Sequence, residues 1–198
     1  MASEVKTLVE ILEENNPIDL GKYINYVSAP QAGAIATFSG TTRDTFQGKV
    51  VVELRYEAYV PMAIRQIKSI CSSARSSWNI HSIAVVHRLG SVPVGETSVF
   101  IAVSAVHRVD ALDACKYAID ELKASVPIWK KEVYANGEVW KENSEFIERR
   151  PELSKANGSC CAKKVELKMQ ATTGCCGSKS KVTEEGASQI STSDKNSE

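Results

Sequence analysis

The chain has 198 residues, and its 24 basic and 24 acidic side chains cancel to a formal net charge of zero at pH 7. This length suits one domain with an appendage rather than two full domains. The balanced charge excludes a global field that would attract nucleic acid or an anionic membrane, so any anion-binding site must be local.

The start of the chain, residues 1–17, alternates charged and apolar residues. It has neither the basic and then apolar regions of a secretory signal nor the Arg-rich character of a transit peptide. No apolar run in the chain approaches the about 20 residues that a membrane-spanning helix needs. We therefore expect a cytosolic protein without a membrane partner. Short apolar stretches at 8–12 and 20–27 leave their own structure open.

The first core element expected is a short apolar strand at residues 34–39, which Gly40 and a polar loop terminate. Residues 50–57 then alternate apolar and polar side chains, which is the period of a half-buried strand. Pro61 suits the first turn of a helix. Apolar residues recur every three or four positions from 63 to 78, so this helix should pack on the sheet.

Two further strands, residues 80–88 and 97–106, are expected to pair antiparallel across a turn-rich segment at 89–96. A second amphipathic helix follows and ends at Pro127. Its expected apolar face consists of Leu112, Cys115, Ile119, Leu122 and Val126.

A last hairpin is predicted at residues 128–142, because Asn136-Gly137 is a strong signal for a two-residue turn. The order of these elements indicates the α+β class, with helices packed on a mostly antiparallel sheet.

Residues 151–198 differ in composition from the rest of the chain. They contain no aromatic residue and are dominated by small, polar and charged side chains, so they cannot bury enough apolar surface to offset the entropy of ordering. We predict a disordered polar tail. Its four cysteines form two adjacent pairs that lack the ligand spacing of a zinc site, and no metal site is predicted.

The common catalytic templates, such as the nucleophile elbow, the Walker loop and His-Glu-x-x-His, are absent from the sequence. Instead, cationic side chains stand at the ends of predicted elements: Arg43 after the first core strand, His107 and Arg108 at a strand-to-helix junction, Lys123 near the end of that helix, and Lys130 and Lys131 just beyond Pro127.

Two of these positions allow alternative interpretations. At a helix start, backbone N–H groups and the helix dipole could help Arg108 to hold a phosphate. Alternatively, His107 and Arg108 only cap and solvate the helix. The dipeptide His87-Arg88 is followed by a turn, and there a structural role is favoured.

Lys123 and Lys130 could converge across the corner at Pro127. Two neighbouring ammonium groups disfavour each other's protonation, which would make one lysine a usable proton donor or acceptor near neutral pH. Lysines on amphipathic helices are more often solvated, and the pattern alone favours that interpretation.

Four stretches together carry a family resemblance: GAIATFSGTTRD, VVHRLGSVPVGETSVFIAVSAVHR, DELKASVPIWKKE and GEVW. In this order and spacing, from about Gly33 to Trp140, the chain resembles the large, catalytic subunit of molybdopterin synthase. The resemblance implies an α/β-hammerhead fold with an added antiparallel β subdomain. The catalytic domain would comprise residues 33–150, and residues 1–32 would join its core.

The resemblance also implies an activity and its partners. The enzyme would be the homodimeric core of a heterotetramer, in which each copy receives a small ubiquitin-like subunit. The thiocarboxylate at that subunit's C-terminus would deliver sulfur to cyclic pyranopterin monophosphate, or precursor Z, to form the dithiolene of molybdopterin. The enzyme would need no metal or cofactor of its own.

Matching positions imply roles for the cations. Arg43, His107 and Arg108 would hold the pterin phosphate. Lys123 would lie at the sulfur-transfer centre, with Lys130 as the second catalytic candidate. The substrate wall would be completed by Lys130, Lys131 and Glu132, where Glu132 orients a lysine or contacts the pterin ring.

A second hypothesis remains at this point. The same order of strands and helices could belong to a ferredoxin-like interaction or ligand-sensing module whose basic residues only solvate its surface. The two hypotheses differ in whether Arg43, Arg108, Lys123 and Lys130 cluster in space.

Overall fold

The computed structural model describes residues 6–14 and 16–141. The predicted tail at 151–198 therefore lies outside the described residues. The described part contains nine strands and three helices: β1 (Lys6–Leu12), α1 (Leu20–Val27), β2 (Ala34–Thr41), β3 (Thr45–Phe46), β4 (Lys49–Ala58), α2 (Val60–Ser77), β5 (Ile80–Arg88), β6 (Gly90–Pro93), β7 (Thr97–Ala105), α3 (Arg108–Ser125), β8 (Ile128–Tyr134) and β9 (Gly137–Lys141). The predicted α+β class is confirmed.

The first sheet has the strand order β1-β5-β7-β2. The predicted antiparallel pairing of β5 with β7 is confirmed, and only β1 runs parallel to its neighbour, β5. Nearly every residue of β5 and β7 is buried. This follows from their position, because α1 covers one face of these strands while α2 and α3 cover the other.

The helix α2 forms as its sequence predicts. Pro61 lies in its first turn, and the buried face contains Ala63, Ile67, Ile70, Cys71 and Ala74. The helix ends at Trp78, whose backbone N–H donates to the carbonyl of Ala74.

The helix α3 differs from its prediction at one position, since Leu112 is 58% exposed instead of buried. Three alanines, Ala111, Ala114 and Ala118, take the sheet-facing side together with Cys115, Ile119 and Leu122. Small side chains allow α3 to lie close to the first sheet, and Leu112 falls on the outer side of the helix.

The second sheet has the order β3-β4-β8-β9, with β6 also paired to β4. The segment at 89–96 is therefore not only a turn, because four of its residues pair antiparallel with β4. The hairpin of β8 and β9 is confirmed, but its turn residues are Ala135 and Asn136, one position earlier than predicted. Gly137, at φ 142°, already pairs with Tyr134 and opens β9.

The stretches whose structure the sequence left open form β1 and α1. The guanidinium of Arg75 holds β1 in place by donating to the Lys6 carbonyl and the Thr7 hydroxyl on one side, and to the carbonyls of Ile80 and His81 on the other. Across residues 6–14 and 16–141, no helix combines the length and apolarity that crossing a membrane requires.

Candidate active site

A pocket of about 400 Å³ lies where the carboxyl-terminal half of α3 meets both sheets. The first sheet contributes Phe38, Gly40 and Val99, the helix contributes Ile119 and Leu122, and the second sheet contributes Leu54 and Tyr56. Four of the predicted site residues line this pocket: Arg43, Lys123, Lys130 and Glu132. Three cations thus converge with one carboxylate, which suits an anionic ligand.

The other three predicted site residues lie elsewhere. His107 and Arg108 are exposed at the amino-terminal end of α3. Fifteen residues separate Arg108 from Lys123, or about 22 Å along the helix axis. The same chain therefore cannot bring both ends of α3 to one small ligand.

Lys131 lies on the opposite face of β8 from the pocket because side chains alternate along a strand. Its ammonium group is 3.1 Å from a carboxylate oxygen of Glu138 and 4.6 Å from the ring centroid of Trp140. It does not line the pocket.

The position of Arg43 depends on the residue before it. Thr42 is buried, and its backbone N–H donates to the carbonyl of Glu96 at 3.0 Å while its hydroxyl donates to that of Val92 at 3.2 Å. Its own carbonyl accepts from the N–H of Gly95 at 2.9 Å. These three bonds fix the chain where β2 ends, so Arg43 leaves it toward the pocket, 5.4 Å from the ring centroid of Phe46.

Gly40 leaves room for the pocket wall. A Cβ atom at this position would lie 2.6 Å from Cγ1 of Val99, closer than real Cβ contacts come. The pairing of β2 with β7 also shifts register between Gly40 and Thr41. A larger residue would push the two strands apart at the edge of the pocket.

Lys130 is held by an acidic neighbour. Its ammonium group lies 3.6 Å from one carboxylate oxygen of Glu132, which is only 3% exposed. The other oxygen accepts a hydrogen bond from the Tyr134 hydroxyl, and this bond, with some burial, raises the pKa of Tyr134. The arrangement orients one lysine toward the pocket and pairs the carboxylate that lines it with a cation and a hydroxyl.

Six neutral polar residues of the pocket were not predicted as site residues: Ser39, Thr41, Thr45, Tyr56, His87 and Ser98. The His87 ring packs edge-on against the Tyr56 ring at a centroid distance of 4.8 Å. Burial lowers the pKa of His87 to about 4 and raises the pKa of Tyr56. The alternation of side chains along β5 places His87 on the same face as the core residues Ile83 and Val85, and this is the sequence signal that the side chain faces the interior.

Arg88, the second residue of the dipeptide His87-Arg88, has the structural role that the sequence favours. Its buried guanidinium pairs with the carboxylate of Glu96 and donates to the carbonyl of Ser91. Within the described ranges, no group of three or more His, Cys, Asp or Glu side chains could hold a metal ion.

Comparison with known proteins places this chain in a family. The family model described as "MoaE protein" matches residues 13–125. The molybdopterin synthase catalytic subunit of Arabidopsis thaliana is 68% identical over 185 residues, which are 93% of this chain and 93% of that protein. The human protein of the same name is 56% identical over 119 residues, covering 60% of this chain and 63% of that protein.

Solved structures agree with these relatives. The crystal structure of molybdopterin synthase from Staphylococcus aureus superposes with a TM-score of 0.63 at 37% identity, covering 67% of this chain and 95% of that one. A chain in the complex of subunits 1 and 2 of molybdopterin-converting factor from Helicobacter pylori shares the fold, with a TM-score of 0.56 at 20% identity over 70% of this chain and 91% of that one. The chain therefore belongs to the family of molybdopterin synthase catalytic subunits and is an enzyme of molybdenum cofactor biosynthesis.

Proposed function

We propose that the chain transfers sulfur from the thiocarboxylated C-terminus of a small ubiquitin-like subunit to cyclic pyranopterin monophosphate, forming the dithiolene of molybdopterin. The observation that carries this proposal is the convergence of Arg43, Lys123 and Lys130 in one pocket. The cyclic phosphate and the thiocarboxylate are both anions, and cationic side chains bind such groups through charge-assisted hydrogen bonds. An interaction module with solvated basic residues has no need for such a pocket.

Lys123 and Lys130 are the proposed catalytic residues. In each transfer the thiocarboxylate sulfur forms a bond to a substrate carbon while a carbon–oxygen bond at that carbon breaks, and the oxygen leaves with the opened phosphate or as water. A second water then cleaves the acyl–sulfur bond, so that the donor leaves as a carboxylate and the sulfur stays on the substrate as a thiolate. Negative charge moves during both steps, and a positioned ammonium group can stabilise it or pass on a proton. Glu132 supports this role by orienting Lys130.

The proposed roles of His107 and Arg108 require a second copy of the chain. Both are exposed at the amino-terminal end of α3, far from the pocket of their own chain. Three exposed apolar residues surround them, namely Val106, Val109 and Leu112 at 47%, 62% and 58% exposure. Such a patch fits a subunit interface. In the proposed homodimer, His107 and Arg108 of one copy would reach the phosphate in the pocket of the other.

Lys131 remains a predicted substrate residue. It pairs with Glu138 on the outer face of the β8–β9 hairpin. A contact with substrate would require the ligand or a second chain to extend around that edge.

Further parts of the proposal concern assembly and domains. The name shared by the relatives, catalytic subunit, implies a second subunit, and the Helicobacter pylori structure is a complex of two subunits. We propose the corresponding heterotetramer here. We also propose that residues 33–150 form a catalytic domain of the α/β-hammerhead type with an added β subdomain, which residues 1–32 join.

The test is formation of molybdopterin by the purified chain from cyclic pyranopterin monophosphate and a thiocarboxylated small subunit. We expect a dithiolene product from the thiocarboxylated partner and none from the same partner with an ordinary carboxylate. Absence of product with a competent donor, under conditions in which a homologous enzyme turns over, would contradict the proposal.

A further inference from the structure

His87 differs from the cations around it because it offers an acceptor, and the charged acceptor of the pocket, Glu132, is already paired with Lys130 and Tyr134. Arg43, Lys123 and Lys130 can only donate hydrogen bonds. His87 borders the same pocket from the end of β5, on the face of the first sheet that α3 covers. It is 4% exposed, so its surroundings and not bulk solvent determine its protonation.

The hydrogen bond at Nδ1 determines which ring nitrogen carries the proton. Nδ1 lies 2.9 Å from the carbonyl oxygen of Arg88, and a carbonyl oxygen can only accept. Nδ1 is therefore protonated. Burial lowers the pKa of His87 to about 4, so the ring stays neutral at physiological pH and Nε2 keeps its lone pair.

Tyr56 and Ser98 line the same pocket as the imidazole. The Ser98 hydroxyl donates its one proton to the carbonyl of Gly40 at 3.1 Å and therefore does not donate to Nε2. The Tyr56 ring packs edge-on against the imidazole at a centroid distance of 4.8 Å.

We propose that His87 is a specificity-determining residue, whose Nε2 accepts a hydrogen bond from an N–H or O–H group on the heterocycle of the substrate. This inference rests on the proposed function. The cations hold the anionic end of the ligand, and His87 selects for a ring that carries a donor. A simple anion would engage only the cations, whereas a pterin phosphate would engage both.

The experiment compares two ligands and two variants. Dissociation constants for cyclic pyranopterin monophosphate and for inorganic phosphate are measured separately by NMR titration. His87→Phe keeps the packing against Tyr56 but removes the acceptor, and we expect it to weaken binding of the pterin about tenfold or more with unchanged phosphate affinity. His87→Gln, whose amide oxygen can accept, should recover part of the loss. Arg43→Ala, the matched control, should weaken both ligands.

The outcomes separate three cases. If His87→Phe binds the pterin as the wild type does, or loses affinity for both ligands in parallel, the specificity role is overturned. If the wild type itself does not bind the pterin, the proposed function fails, and the role of His87 fails with it.

A measurement on the unsubstituted chain covers the case in which His87→Phe does not fold. The sequence has only three histidines, so ¹⁵N-histidine spectra are simple to assign. The Nε2 resonance of His87 should shift toward that of a hydrogen-bonded acceptor when the pterin is added, and should stay in place with phosphate. A resonance that does not move at saturating pterin overturns the inference.

Discussion

The carboxylate of Glu132 lies 3.6 Å from the ammonium group of Lys130 and at the same time accepts a hydrogen bond from the hydroxyl of Tyr134. Glu132 is 3% exposed, and a buried carboxylate is costly unless it is paired. Lys130, at 26% side-chain exposure, is the member of this pair that remains accessible. The pair therefore fixes the direction of a pocket lysine.

Glu132→Gln should lower kcat about tenfold or more, because the amide keeps the shape of the side chain but no longer anchors the Lys130 ammonium group. Unfolding free energy should fall by no more than about 2 kcal/mol, since solvent can reach Lys130. Single-turnover formation of product measures the effect. Asp120→Asn, which breaks the exposed ion pair with Lys116 on α3, is the control. A wild-type rate in Glu132→Gln would show that Lys130 needs no anchor.

Much of the fold could be predicted from the sequence because apolar residues recur at regular spacing along the long strands and helices. The strands β2, β4, β5 and β7 and the helix α2 were all expected near their observed positions. The elements β1, α1 and β6 could not be predicted. They are short, and contacts distant in sequence stabilise them, such as the pairing of β1 with β5.

The candidate site was predicted less completely. The corner at Pro127 suggested that Lys123 and Lys130 could converge, although the pattern alone favoured solvated lysines. Only the family resemblance placed Arg43 in the same site. The strand period itself distinguishes Lys130 and Glu132 from Lys131, since neighbouring residues in a strand face opposite sides. His87 and Tyr56 meet through contact between two sheets, which no local pattern encodes.

The exposed apolar patch of Val106, Val109 and Leu112 at the start of α3 predicts that the chain forms a homodimer. Val109 is 62% exposed, and Val109→Asp would place a charge in the proposed homodimer interface. We expect the dimer to dissociate and product formation to be lost, because His107 and Arg108 would no longer reach the second pocket. Analytical ultracentrifugation measures the mass of the assembly in solution. Ser72→Asp adds the same charge to an exposed position of α2 and should change neither property. A Val109→Asp dimer of unchanged affinity would place the interface elsewhere.

The buried imidazole of His87 should make stability depend on pH. Its pKa is lowered from 6.5 to about 4, so between these values the unfolded chain binds a proton that the folded chain does not. Unfolding free energy is therefore highest above pH 6.5 and falls on acidification by about 1.4 kcal/mol per unit, or about 3 kcal/mol in total by pH 4.

Two carboxylates also make the unfolding free energy depend on pH, but in a more acidic range. The pKa of Glu10 is lowered by its hydrogen bond from Lys22, and that of Glu53 by its hydrogen bond from Ser91, so their stabilisation is lost only below pH 4.5. Denaturant titrations between pH 7 and 4.5 should therefore report His87. His87→Gln should remove the slope in this range, while His107→Gln, at an exposed position, should keep it. A slope that persists in His87→Gln would assign it to another group.

Lys123→Ala removes an ammonium group from the place where the thiocarboxylate and the developing negative charge are proposed to meet. Losing a positioned donor or proton shuttle typically costs about a hundredfold or more in rate. Because Lys123 lines the pocket and not the apolar core, folding and dimerisation should survive, with a change in unfolding free energy within about 1 kcal/mol. Lys116→Ala, at a solvated position of the same helix, should keep the wild-type rate.

Lys123→Arg separates charge from proton transfer, because it replaces a compact, titratable amine with a broad guanidinium that stays protonated. If proton transfer or close fit matters, this variant should be nearly as slow as Lys123→Ala. If only charge matters, it should recover most of the rate. Product formation is measured at saturating thiocarboxylated partner, so that weaker docking cannot imitate a slower reaction. Near-normal turnover by Lys123→Ala under these conditions would remove Lys123 from the mechanism and leave Lys130, held by Glu132, as the remaining catalytic lysine.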